Sequence, residues 1–315
     1  MGEPSTRWSE IVEPDEQQRH EAFAQTLTAI QTRISAKRGP GRALHRKPVA
    51  ALVGRLTVLD ALPDYGAQGL FAQPGEYDAV IRMSNGAMVA QADAVPDIRG
   101  FALSVRGLSG PGALGGQTDR QDFLLINRPA FGFRDSREFA ALVPAAARGQ
   151  QALARELIDR HGVARAPLFL VRQAADLARP FSGFATASFH SCAPIAWGPY
   201  AAHVHLSPVG ASRNLLAVRD WGADIRSRLE RGPLHWDLRA QFYTDEQHTP
   251  IEDGRQPWRG AKLTVARLTA TGMADAEAVE ADHFDPWSAL AEHRPLGEIM
   301  RARKAAYYPS VRNRT

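Results

Sequence analysis

The sequence predicts an α+β fold with an antiparallel sheet or barrel at its core, and three observations predict it. Apolar runs of strand length occupy 49–59, 79–83, 100–105 and 123–126, then 201–206, 234–243 and 263–268. Helical periodicity is confined to blocks near the start, at 136–177 and at the end, so the pattern is not the alternation of βαβ units. Gly and Pro punctuate the gaps, as in Pro63-Asp64-Tyr65-Gly66 and at 107–116.

Taken in order, the first element is a helix. After Pro14-Asp15, Phe23, Leu27, Ile30 and Ile34 recur at helical spacing, and Gly39-Pro40-Gly41 ends the pattern. This block, 1–40, reads as an N-terminal helical arm. The remainder, 41–315, reads as a single domain, since no internal repeat, low-complexity tract or linker divides it. The four early strands, the 136–177 helical stretch and the three later strands then follow. The last helix has the clearest signals: Pro295 suits its first turn, Leu296, Ile299, Met300, Arg303 and Tyr307 share one face, and Pro309 stops it. An apolar stripe thereby carries an arginine and a tyrosine inward, and a buried arginine calls for an anionic partner.

Composition bounds the function. A chain of 315 residues with 44% hydrophobic and 23% charged residues can bury a core and a cofactor. The net charge of +4 rests on arginine, because lysine occurs only at 37, 47, 262 and 304. Acids interleave with the arginines, so a nucleic-acid partner is not expected. Cys192 stands alone, which excludes an intrachain disulfide, and reads as a packing residue. No leader pattern and no apolar run of roughly 20 residues is found, so a cytoplasmic protein without a membrane span is expected.

Several separated residues suit a haem iron that meets peroxides. A tyrosine binds ferric haem as phenolate, and lowering its pKa from about 10 to 7 costs roughly 4 kcal/mol, which the iron and an adjacent guanidinium can supply. Arg303 lies four residues before Tyr307, on the same helical face. His45 suits the base that takes a peroxide proton and returns it to the leaving oxygen; Asn127 suits the donor that holds the peroxide. Ser84 would fix the histidine tautomer. Read singly, each also fits a plainer role: Tyr307 packed in a core against Arg303, or a buried polar residue closing a strand. His203-Val-His205 puts two imidazoles on one strand face and leaves a non-haem metal site open. The other histidines, and tryptophans such as Trp236, Trp258 and Trp287, read as structural.

Together, Arg42-Ala-Leu-His45, Arg82-Met-Ser84, Asp97-Ile-Arg-Gly-Phe-Ala102, Asp122-Phe through Asn127-Arg-Pro129-Ala-Phe131 with Arg134-Asp135, and Arg303-Lys-Ala-Ala-Tyr307 resemble the haem catalase superfamily. The opening Ala43-Leu-His45-Arg-Lys47 and the tail from Pro295 to Arg314 look most like its short branch, the catalase-related peroxidases. The resemblance implies a catalase-like antiparallel β-barrel with flanking helices and a C-terminal haem-proximal helix. It implies haem b (iron protoporphyrin IX), with His45, Asn127 and Ser84 catalytic, Tyr307 as the metal ligand, Arg42, Arg82 and Arg314 at the propionates, and Arg303 and Phe131 beside the cofactor.

Two departures bear on substrate. Pro48 stands where large catalases have a small residue, and Gly132 where they have a second Phe. The expected activity is reduction of organic hydroperoxides, and of hydrogen peroxide with weak catalase action, through a ferryl intermediate. The expected partners are the peroxide and a small-molecule reductant, with a homodimer as a compatible assembly. A fatty-acid hydroperoxide isomerase like allene oxide synthase is the alternative, disfavoured by Leu44 where threonine is expected. A non-enzymatic haem-binding protein is the other.

Overall fold

The computed structural model describes residues 3–312, with the side chains of 172–174, 176–177 and 306–312 outside the description. The strands are β1 (Pro48–Val58), β2 (Gly75–Asn85), β3 (Arg99–Pro111), β4 (Gln117–Ile126), β5 (Phe189–Ser191), β6 (Ile195–Trp197), β7 (Tyr200–Val209), β8 (Leu234–Phe242) and β9 (Leu263–Met273). All pairings are antiparallel. β1 joins β9, and β5 bridges β4 to β7, so eight strands close into a barrel while β6 lies outside it against β7. Alternation decides what lies inside: Ile81 and Met83 of β2, Phe101, Leu103 and Val105 of β3, and Phe123 and Leu125 of β4 fill the interior. Their neighbours Arg82, Ser84, Gly100 and Ile126 therefore face outward, where further chain covers them. Closure is tight at Gly54, beside a register shift of β1 against β9: a Cβ there would meet the Thr269 carbonyl oxygen at 2.1 Å.

The helices are α1 (Glu16–Arg38), α2 (Ser136–Arg148), α3 (Gln150–His161), α4 (Ala166–Leu177), α5 (Trp221–Leu229), α6 (Ala276–Ala281) and α7 (Glu298–Arg312). The expected stretch 136–177 is three helices, broken where Gly149 and Gly162 take φ of 116° and 75°. The last helix departs from expectation at both ends. It starts at Glu298, after Gly297 at φ 86°, and runs past Pro309 to Arg312 instead of stopping there. Among the described residues no helix is long and apolar enough to cross a membrane.

α7 is fastened at its N-terminal end to the arm and to α2. Arg301 pairs with Glu10 at 2.7 Å, Glu16 at 2.6 Å and Glu252 at 3.3 Å. The Glu298 carboxylate accepts the Ser136 backbone N–H at 2.7 Å and contacts His20 Nε2 at 2.8 Å. Burial opposes its charge, yet hydrogen bonds with His20 and Ser136 hold it down to about 2 from the ordinary 4.5. A depressed carboxylate contributes stability above its unfolded pKa and loses it as pH falls. Glu298→Gln should therefore cost roughly 3 kcal/mol at pH 7, and the gap to wild type should close between pH 4.5 and pH 2. Urea unfolding across that range checks this; a gap independent of pH would contradict it.

Candidate functional site

The outward faces of β2, β3 and the end of β4 form one wall of the site. His45 approaches this wall from the segment before β1. Its backbone N–H donates to the Gly86 carbonyl at 3.0 Å, and Arg46 N–H donates to Ala87 O at 3.3 Å. The loop that receives them is pinned by Asp97, whose carboxylate accepts from Ala87 N at 3.0 Å and Gln91 Nε2 at 3.3 Å. His45 itself sits at φ 53°, a left-handed conformation costly for a side chain with a Cβ. Its ring Nδ1 lies 3.1 Å from Ser84 Oγ, the pairing expected from the sequence. Gly100 makes this possible, because a Cβ there would meet His45 Nδ1 at 2.5 Å and Ser84 Oγ at 2.8 Å.

Asn127 is held at the next position along the same strand. Its Oδ1 accepts the Arg99 backbone N–H at 2.7 Å, and its own N–H donates to Arg99 O at 3.0 Å. Arg99 is anchored in turn to the Asp93 and Val95 carbonyls at 2.8 and 2.9 Å. The two candidate groups are thus positioned by consecutive residues, His45 against Gly100 and Asn127 on Arg99. Neither His45 Nε2 nor Asn127 Nδ2 makes a hydrogen bond to a described residue, so both keep their chemistry for something else.

Charge around the histidine is mostly positive. Arg82 donates through Nη2 to the His45 carbonyl at 2.9 Å and clasps the Glu280 carboxylate of α6, with one contact of 3.1 Å and a shorter one through Nε. Arg42 reaches the same carboxylate at 3.5 Å and the Asp282 carbonyl at 3.1 Å. Burial, reinforced by Arg82, Arg303 and Arg42, pushes the His45 imidazolium down from 6.5 to about 3, so the ring is neutral at physiological pH. Glu280, far from Arg82 in sequence, had no signal in the sequence; Gly100 appeared there only as one letter of a motif.

α7 and the segment before it pack against the end of β4. Met300, Trp287, Cys192 and Ile126 pack together, with Phe131 and Ile98 at the margin. Phe131 is braced by Phe133 and Phe139, each with its ring 5.4 Å away. Cys192 is buried, as a packing residue should be, and burial raises its thiol pKa despite Arg303 alongside. Arg303 also contacts Met300 Sδ at 3.9 Å. Tyr307 follows one turn later on α7, and its side chain lies outside the described residues, as does all of Arg314.

The alternative metal site finds no ligand set. His203 Nδ1 is bonded to Ser191 Oγ at 2.9 Å; His205 is bonded to His190 at 2.6 Å and to Gln241 at 3.1 Å. Among the described residues no group of three His, Cys, Asp or Glu side chains could hold a metal ion. A cavity of about 1050 Å³ bounded by Tyr65, Tyr200, Phe242 and Lys262 shares no lining residue with the His45 wall, so volume alone does not locate the chemistry.

No family model matches the chain, and no curated protein matches it. Solved structures do. A fungal catalase aligns over 100% of this chain with a TM-score of 0.71 at 17% identity, and a bacterial catalase over 100% with 0.67 at 16%. The chain spans 65% and 63% of the lengths of those two proteins. At such identities the likeness concerns the fold, and the closed eight-stranded antiparallel barrel with flanking helices is the catalase-like α+β architecture.

Proposed function

We propose that this chain is a haem b peroxidase that reduces organic hydroperoxides, and hydrogen peroxide with weak catalase activity. The observation that carries the reading is the pair His45 Nε2 and Asn127 Nδ2, two polar groups built onto adjacent residues of one strand and bonded to nothing else described. The fold, shared with two catalases, supports a peroxide-handling enzyme. A simple haem carrier has no use for a constrained histidine of this kind.

The residues present fit the cofactor. Three guanidiniums, those of Arg42, Arg82 and Arg303, act on His45, and Glu280 clasps two of them. Such a cluster of guanidiniums suits the two carboxylates that a haem carries. Arg42 and Arg82, with Arg314, would hold the propionates, Phe131 would pack beside the cofactor, and Tyr307 would bind its iron with Arg303 nearby. Bound haem would supply the redox-active iron at which a peroxide O–O bond is broken.

The protein's own part is proton handling. With Nδ1–H donating to Ser84 Oγ, His45 keeps its Nε2 lone pair to accept the hydroperoxide proton and return it to the departing oxygen. Asn127 Nδ2–H would donate to the peroxide and steady the charge that develops. A small-molecule reductant would complete turnover. At Gly132 a built Cβ meets nothing within 4 Å, which supports room for substrates bulkier than hydrogen peroxide.

Two measurements test this. With haem-loaded protein, dye oxidation driven by an alkyl hydroperoxide should exceed oxygen release from hydrogen peroxide; dominant oxygen release would favour a true catalase, and neither activity would favour the isomerase or the carrier. Separately, His45→Ala should lower kcat/KM for the hydroperoxide by roughly 10³-fold and Asn127→Ala by roughly 10²-fold, with haem absorption retained. Unchanged rates in both would remove the roles assigned to them.

A further inference from the structure

Around α4 and the connection before it, apolar side chains lie on two sides, and only one side serves the fold. The inner face is satisfied: Leu157 and Ala166 are buried with Leu142 against Phe133, Leu153 and Phe169. The outer face carries Ile158 at 40% exposure, Val163 at 75%, Leu168 at 64% and Val171 at 65%. Val163 occupies the connection between the helices, and Leu168 and Val171 lie one turn apart on α4. A helix that is apolar on both sides belongs in a protein interior or against lipid.

The charges nearby choose between these. Across 148–171 four arginines accompany two carboxylates; Glu156 pairs with Arg160 at 3.0 Å, which leaves three arginines and Asp159. A second copy docked by two-fold symmetry would bury the same net-positive patch on both sides of the contact. An anionic bilayer opposes no such charge and attracts it.

The geometry points to α3–α4 as an interfacial docking surface for an anionic phospholipid bilayer, with Val163, Leu168 and Val171 entering the acyl boundary and Arg155 and Arg165 meeting phosphates. Because Phe133 beneath this pair contacts Phe131 at the candidate site, the surface would deliver lipid hydroperoxides; that consequence, unlike the docking, rests on the peroxidase reading.

Docking is tested without any peroxide. The full chain is sedimented with extruded vesicles of phosphatidylcholine, with and without phosphatidylglycerol, at low and high salt. Wild type should pellet with phosphatidylglycerol vesicles and at least about tenfold less with phosphatidylcholine alone. The double variant Leu168→Glu/Val171→Glu, altered only at exposed positions, should lose about tenfold of that binding with its circular dichroism unchanged. The inference is overturned if wild type stays in the supernatant or if the double variant pellets equally. It is also overturned if sedimentation velocity finds a wild-type dimer that the double variant dissolves, which would give the face to a second copy.

Discussion

Everything assigned to the site depends on one close approach, the imidazole of His45 lying against the bare Cα of Gly100. Without a side chain at that position of β3, the ring reaches Ser84 on the neighbouring strand; with one, it would be expelled by contacts of 2.5 and 2.7 Å. The left-handed backbone at His45 is the cost of bringing the ring there, and it is held by Gly86, by the Asp97-pinned loop and by Arg82 on the His45 carbonyl. A barrel suits this task because its outer wall is set by the closure of eight strands.

The same wall explains the electrostatics. Outward residues of a barrel are usually solvated, but here α6 and the segment carrying His45 cover them, so Arg82 and Ser84 are almost wholly buried. Burying guanidiniums under helices demands anions. Glu280 meets part of the demand, and burial, reinforced by the guanidiniums, keeps His45 neutral. The arm and α2 matter by holding α7 in place through Glu298 and Arg301, which ties the helix carrying Arg303 and Tyr307 to elements far away in sequence.

Much of this was legible in the sequence. Ile81 and Met83, and Phe101, Leu103 and Val105, alternate cleanly because one strand face packs the barrel, and those strands were found. Their ends were not: β4 begins at Gln117, where Thr118, Asp119 and Arg120 carry no apolar signal. Short elements escaped as well: β5 and β6 are three residues each, too short for alternation to show, and α5 and α6 open on Asp220 and Asp275 caps that resemble loop residues. The His45–Ser84 contact was anticipated from residue types and resemblance. The ligation of Arg82 by Glu280 was not, since its partners are 198 positions apart and only the closed barrel brings them together.

On the function proposed above, the Tyr307 oxygen would ligate the iron of a bound haem, and haemin titration of the purified chain tests this. The account predicts saturable one-to-one binding with a Soret band and the charge-transfer absorption of a ferric phenolate, the latter lost in Tyr307→Phe. A chain that shows no saturable Soret band, or a Tyr307→Phe variant with an unchanged spectrum, would contradict it.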